Sequence, residues 1–214
     1  DQSGIFTYRQ IPSITNIELA EYTGKTEFLE AYETVQMDGL AIQVSYSNGS
    51  SQQVTFYGTA AKDTYGNIFY FRYYPEDTYL KGDYDVWYDS SYDLTAGTYY
   101  MAMEGYESSA VKIQILSLQE FAEKNFIKLD EPYLFAGGSN YCAFVFDPET
   151  SGSYEFTFRP GGIGSLRIYD SEMQSVFEDY SQHKYQVSLT AGERYYGMFM
   201  RTNWNSEIQM TVSA

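Results

Sequence analysis

Four aspartates crowd one short stretch. Asp83, Asp85 and Asp89 fall within Asp83-Tyr84-Asp85-Val86-Trp87-Tyr88-Asp89, and Asp93 lies just beyond. Alternate residues of a strand share a face, so on a strand the first three carboxylates stand side by side. Several carboxylate oxygens are what a hard cation such as calcium takes. The stretch has neither the glycine nor the closing glutamate of an EF-hand loop, and a wetted strand face explains the same spacing. Calcium is thus the one cofactor these residues could hold, at Asp83, Asp85, Asp89 and Asp93.

The second kind of chemistry is stacking. Trp204 sits in the polar run Thr202-Asn203-Trp204-Asn205, where an indole stays exposed and its flat face can lie on a pyranose ring. Trp87, inside the aspartate stretch, is expected to pack. The single histidine, His183, lies in Ser181-Gln182-His183-Lys184 with no nucleophile elbow near it. Cys142 alternates with Phe144 and Phe146 and points into a core with them. Gly161-Gly162-Ile163-Gly164 follows a strand, but no helix opens after it to complete a phosphate cradle. A hydrolase built on a carboxylate pair would need one acid inside an apolar strand, where its pKa rises; the acids that can be placed sit in turns or on wet faces. No catalytic residue is assigned.

Thirteen basic residues against 29 acidic ones leave a net charge of −16. That field repels nucleic acid and anionic lipid. No run approaches the roughly 20 apolar residues of a membrane helix, so membrane insertion is not expected. One cysteine makes neither an internal disulfide nor a thiolate zinc site. Aromatic residues form 19% of the chain, with 24 tyrosines, and tyrosine suits a sheet with one greasy and one wet face.

The elements that carry these residues read as strands. Leu94-Thr-Ala-Gly-Thr-Tyr-Tyr-Met-Ala-Met103 returns as Leu189-Thr-Ala-Gly-Glu-Arg-Tyr-Tyr-Gly-Met-Phe-Met200, about 100 residues on, the size of one small β-sandwich. In each copy a strand should end, turn at Ala-Gly and leave as a Tyr/Met-rich strand. A closing strand then follows (Val111–Ile115, Ile208–Val212), so that each domain finishes in its own hairpin. Leu40, Ile42, Val44 and Tyr46 alternate with smaller or polar residues, and Asn48-Gly49 supplies a hairpin turn before Val54 and Phe56. An aromatic strand is expected from Gly66 to Tyr74. Residues 26–37 have helix propensity, and Ser117-Leu118-Gln119-Glu120 fits a capping box at the junction of two domains. Short strands broken by turns, with no long amphipathic helix, give an all-β chain.

The first domain resembles the bacterial immunoglobulin-like modules of surface proteins. The likeness rests on Ile14-Thr15-Asn16-Ile17, Lys25-Thr26-Glu27-Phe28, Gly39-Leu40, Tyr46-Ser47-Asn48-Gly49-Ser50 and Ala96-Gly97-Thr98-Tyr99. It implies that residues 26–37 are extended or irregular. Glu30-Ala31-Tyr32-Glu33 stands where those modules usually turn on Gly-Glu. The second domain resembles the bacterial pre-peptidase C-terminal domain through Thr150–Phe156, Leu166–Asp170 and Leu189-Thr190-Ala191-Gly192 before Tyr195-Tyr196. Tyr141-Cys142-Ala143-Phe144 replaces the acidic strand opening often seen there.

The expected architecture is therefore two tandem antiparallel β-sandwich domains: a lead-in over 1–12, an immunoglobulin-like sandwich over 13–117, and a pre-peptidase-C or jelly-roll-like sandwich over 118–214. Both resemblances imply a non-catalytic segment of a secreted or cell-surface bacterial protein, part of a longer multidomain chain. It would serve as a spacer, adhesion or substrate-presenting module whose partner is a surface protein or a carbohydrate. A carbohydrate-binding module using Trp204 and exposed tyrosines is the alternative.

Overall fold

The computed structural model describes residues 10–20, 22–161, 163–203 and 206–214, and Trp204 lies outside them. Nearly all of the chain's regular structure is strand, and the chain forms two compact units. Residues 34–115, with the chain up to Phe28, make the first; Leu29–Glu33 and Leu116–Ala214 make the second.

In the first unit the strands are β1 (Ile14–Leu19), β2 (Glu27–Leu29, whose last residue counts with the second unit), β3 (Ala41–Tyr46), β4 (Ser51–Thr55), β5 (Ala60–Lys62), β6 (Ile68–Tyr70), β7 (Arg72–Pro75), β8 (Gly97–Ala102) and β9 (Ala110–Leu116). They form sheets in the orders β1-β3-β4 and β2-β9-β8-β7, with β5-β6 as a separate pair. Ile42, Val44 and Val54 from one sheet meet Tyr99, Met101 and Ile113 from the other in a single core, to which β6 adds Phe69. The alternation read from Leu40 to Tyr46 is this inward face. The β3–β4 turn differs slightly from the expected pair of left-handed residues: Gly49 alone takes a positive φ, of 80°. Asn48 accepts hydrogen bonds from the Ser50 backbone and hydroxyl.

Residues 26–37 are not a helix. After β2 the chain turns at Glu30–Tyr32, with Ala31 at a φ of 61°, where glycine is the residue at ease. Leu29 and Glu33 close the turn. The Leu29 carbonyl accepts from Glu33 N–H at 3.0 Å, and the Glu33 carboxylate accepts from Leu29 N–H at 2.9 Å.

The Asp83–Asp89 stretch is not a strand either, which corrects the expectation of a shared carboxylate face. A short helix, α1 (Glu76–Tyr79), is followed by turns, with one bridge from Tyr88 to Tyr73. Tyr84 packs edge-on against Tyr74 at 5.7 Å between ring centres and lies 5.6 Å from Tyr79, which stacks flat on Tyr100 at 4.2 Å. Docking these rings buries aromatic surface, and the aspartates lie on the loop that carries Tyr84.

The second unit opens with α2 (Leu118–Ala122), started by the capping box at Ser117 and Glu120. Its strands are β10 (Phe126–Ile127), β11 (Tyr133–Phe135), β12 (Tyr141–Phe146), β13 (Gly152–Arg159), β14 (Ser165–Tyr169), β15 (Ser175–Tyr180), β16 (Lys184–Leu189), β17 (Tyr195–Met200) and β18 (Ile208–Ser213). A five-stranded sheet, β10-β12-β17-β14-β15, faces a four-stranded one, β11-β18-β13-β16. Phe144, Phe146 and Phe199 from the first interdigitate with Phe156, Phe158 and Met210 from the second. This is a β-sandwich. The outer face of the larger sheet is apolar too: Ala143, Val145, Tyr196 and Met198 are covered by Ala122 of α2 and by Leu29.

The repeated Leu-Thr-Ala-Gly copies diverge here. Leu189 ends β16 as expected, but Leu94 follows a single 3-10 turn, Ser91–Asp93, and no strand ends there. β8 and β9 pair as the expected closing hairpin. β17 and β18 do not: β17 pairs with β12 and β14, whereas β18 crosses to the other sheet beside β11 and β13.

Candidate functional site

Where the structure places each aspartate decides what the stretch can do. The Asp83 carboxylate accepts from Asp85 N–H at 3.3 Å, a local turn bond. Asp93 is exposed on the 3-10 turn. Asp89 lines two cavities. Among the described residues no three His, Cys, Asp or Glu side chains gather as a metal cage. Trp87 is half-buried, with the Arg72 guanidinium 3.8 Å from its ring centre. His183 is exposed, and Cys142 packs in the second unit's core.

The residues that do converge lie around β6, in the first unit. Phe69 points inward, so Ile68 and Tyr70, on the opposite face, are left 53% and 62% exposed. Two cavities flank Tyr70 and share Tyr70, Phe71 and Asp89. The smaller, about 220 Å³, is walled by Tyr92, Ser90, Thr34 and Thr59. The larger, about 590 Å³, is walled by Ile14, Ile68, Asn67, Arg72 and Glu104. Together they make a groove floored by aromatic carbon and edged by hydroxyls, an amide and two carboxylates.

Its walls are fixed in place. Ser90 caps the 3-10 turn by accepting from Tyr92 N–H at 3.2 Å, and Ser91 Oγ accepts from Val35 N–H at 3.2 Å. Tyr92, 73% exposed, has its hydroxyl tied to Thr34 Oγ1 at 2.9 Å. Tyr73 and Tyr88 exchange two backbone hydrogen bonds, which sets Asp89 next to them at the groove. The cation at the groove is already engaged: Arg72 stacks on Trp87 and bonds Glu104 at 2.9 Å.

The buried charges elsewhere are structural. Asp63 accepts from the Tyr46 hydroxyl and Asn67 amide, both at 2.7 Å, and from the N–H groups of Tyr65 and Asn67. Burial raises its pKa, but these bonds outweigh burial and hold the carboxyl below the usual range. Burial first, and the Asp63 carboxylate second, push the Tyr46 hydroxyl up. In the second unit the buried Arg201 guanidinium donates to the carbonyls of Ala136 and Ser206 and to Cys142 Sγ. On the surface, Arg194 forks onto Asp147 and Glu123 at 2.8 and 2.9 Å, tying α2 to the start of β17.

Trp204, the stacking residue read from the sequence, lies outside the described residues; among those, Tyr70 and Tyr92 are exposed rings on one cavity. They are some twenty residues apart, and nothing in their spacing joins them. The usable signal was the alternation Ile68-Phe69-Tyr70, which puts two large apolar side chains on the face opposite a core phenylalanine.

No helix among the described residues is long and apolar enough to cross a membrane. No family model matches the chain, and no curated protein matches it. Among solved structures the chain is similar to the pre-peptidase C-terminal domain of collagenase from Bacillus anthracis. The identity is 13% and the TM-score 0.34, over 41% of this chain and 92% of that one. It is also similar to PliG, a periplasmic lysozyme inhibitor of g-type lysozyme from Aeromonas hydrophila. There the identity is 5% and the TM-score 0.28, over 41% of this chain and 97% of that one. These likenesses are faint and assign the chain to no family.

Proposed function

We propose that this chain is a non-catalytic segment of a secreted or cell-surface bacterial protein, an immunoglobulin-like sandwich followed by a pre-peptidase-C-like one. Its role is to space or attach what it is joined to. The observation that carries this reading is the fate of Asp63. A general acid needs a carboxyl that is enclosed and reachable, with a raised pKa. Asp63, 6% exposed, is saturated by donors and held ionised to fix a loop. Sheet cores filled with aromatic rings make stiff bodies, and binding then falls to the loops and edges.

The test displays the chain on a non-adherent carrier cell and measures retention under flow on surfaces coated with glycans or matrix proteins. Retention above the bare carrier, with the coating left intact, supports the reading. Progressive breakdown of a coated polysaccharide or protein overturns it. A second reading, binding of carbohydrate, is favoured by the aromatic groove around Tyr70.

A further inference from the structure

We infer that the groove around β6 is a binding site for a neutral saccharide chain, with Tyr70 and Tyr92 as its stacking faces. The inference rests on the carbohydrate reading above and gives it a location. A pyranose ring offers two things at once, a flat face of C–H groups and a rim of hydroxyls. The groove offers the complement of both. Tyr70 and Tyr92 present exposed rings on the same cavity, and the polar groups beside them are Asp89, Ser90, Thr34 and Thr59. Hydroxyls and a carboxylate serve as acceptors and donors to sugar hydroxyls over short distances.

Three observations narrow the occupant. First, Tyr92 is largely exposed yet anchored through its hydroxyl to Thr34. An aromatic face held ready in water loses little freedom when a ligand lands on it. Second, the arginine at the groove already bonds Glu104 and covers Trp87. No other cationic side chain lines either cavity among the described residues. Third, the chain carries a net charge of −16, and Asp89 and Glu104 add negative charge locally, so an anionic ligand is repelled. Charge therefore selects against sulfated, uronic or phosphorylated chains and leaves uncharged sugars. The adjoining larger cavity, along Ile68 and Asn67, continues past Tyr70 and suits a ligand of more than one ring.

The experiment is affinity electrophoresis of the whole chain through gels containing xyloglucan, galactomannan or mixed-linkage β-glucan. Polygalacturonate is the anionic comparison and a soluble polyproline peptide the non-saccharide comparison. Tyr70→Ala and Tyr92→Ala are compared with Tyr180→Ala, an exposed tyrosine of the second unit, and each variant's melting temperature reports its fold. The expected result is retardation in at least one neutral polysaccharide and none in polygalacturonate. Affinity should fall at least tenfold in each groove variant and stay unchanged in Tyr180→Ala. Retardation that survives both groove substitutions overturns the location while leaving carbohydrate binding intact. Retardation in none of the neutral polymers overturns the inference, and the attachment role is then judged by its own flow assay. Direct binding of the polyproline peptide to the chain, abolished by both groove substitutions and with no retardation in any neutral polymer, also overturns it and makes the groove a peptide site. Should a groove variant melt early, Tyr70→Phe, which keeps the ring, must retain binding; its loss of binding counts against stacking.

Discussion

Among the described residues each unit buries one charged side chain, and the two choices are opposites. The first buries an acid, Asp63, and surrounds it with neutral donors. The second buries a base, Arg201, and surrounds it with neutral acceptors. Neither forms an ion pair among the described residues. An enclosed charge is costly unless its hydrogen-bonding capacity is filled, and neutral peptide dipoles fill it here. The sign of the charge then fits the task. A carboxylate collects the N–H groups of a tight turn, which point inward, so Asp63 closes the loop between β5 and β6. A guanidinium reaches carbonyls on separate segments, so Arg201 holds the chain as it leaves one sheet for the other.

That contrast explains why the repeated motif gives two outcomes. The connections Met103–Ser109 and Arg201–Glu207 have the same length, yet the first stays in its sheet and the second crosses. In the first, Glu107 accepts from Gly105 N–H at 2.7 Å and folds the loop on itself. In the second, Arg201 pins the loop inward. The matching strands differ as well. Met101 is fully buried in β8, while the corresponding position in β17 is Gly197, where a Cβ would meet the Phe144 ring at 2.0 Å.

The largest effect is expected from Arg201→Met. It strands two inward carbonyls and should lower stability by about 4 kcal/mol, read as an earlier midpoint in urea with the second unit's amides exchanging first. Asp63→Asn should cost about 3 kcal/mol. Its pH dependence has a definite sign. Because the folded pKa lies below the unfolded one, the stabilisation is complete above the ordinary aspartate value of ~3.9. It is lost as acidification passes through the folded pKa. Wild type should therefore lose stability in that acid window, and the variant should lose less. An unchanged acid profile would remove Asp63 from the comparison.

The paired strand positions should both lose stability to alanine, for opposite reasons. Met101→Ala opens a cavity and costs about 2.5 kcal/mol. Gly197→Ala crowds the Phe144 ring and costs about 2 kcal/mol. A neutral Gly197→Ala would mean that the ring yields freely and the two strands differ less than their packing indicates. The smallest effect is a gain: Ala31→Gly relieves a left-handed backbone and should stabilise the fold by about 0.5 kcal/mol, visible as a rise in melting temperature.

Much of this fold was legible from local pattern. The inward face of β3 follows from Ile42, Val44 and Tyr46, and α2 begins where Ser117 and Glu120 cap it, because both signals are complete within a few residues. The loop over Asp83–Asp89 was misread as a strand because its conformation is set by Tyr84 docking on Tyr74 and Tyr79, rings that no local period connects. β17 and β18 were misjudged as a hairpin for the same kind of reason: Arg201 resolves the crossing through partners at Ala136 and Cys142. The groove depends on a 3-10 turn carried beside β6, a juxtaposition that exists only after the sheets have formed.

The Leu29–Glu33 segment has a further consequence during synthesis. It leaves the ribosome long before Ala143, Val145, Tyr196 and Met198, the residues that Leu29 helps to cover. The second unit must therefore complete its outer layer with a piece made more than a hundred residues earlier, a closure of high sequence separation and correspondingly slow. Until that strap lands, a newly made second sandwich shields its greasy flank with α2 alone, and a fragment starting at Leu116 would keep that flank only part-covered for life.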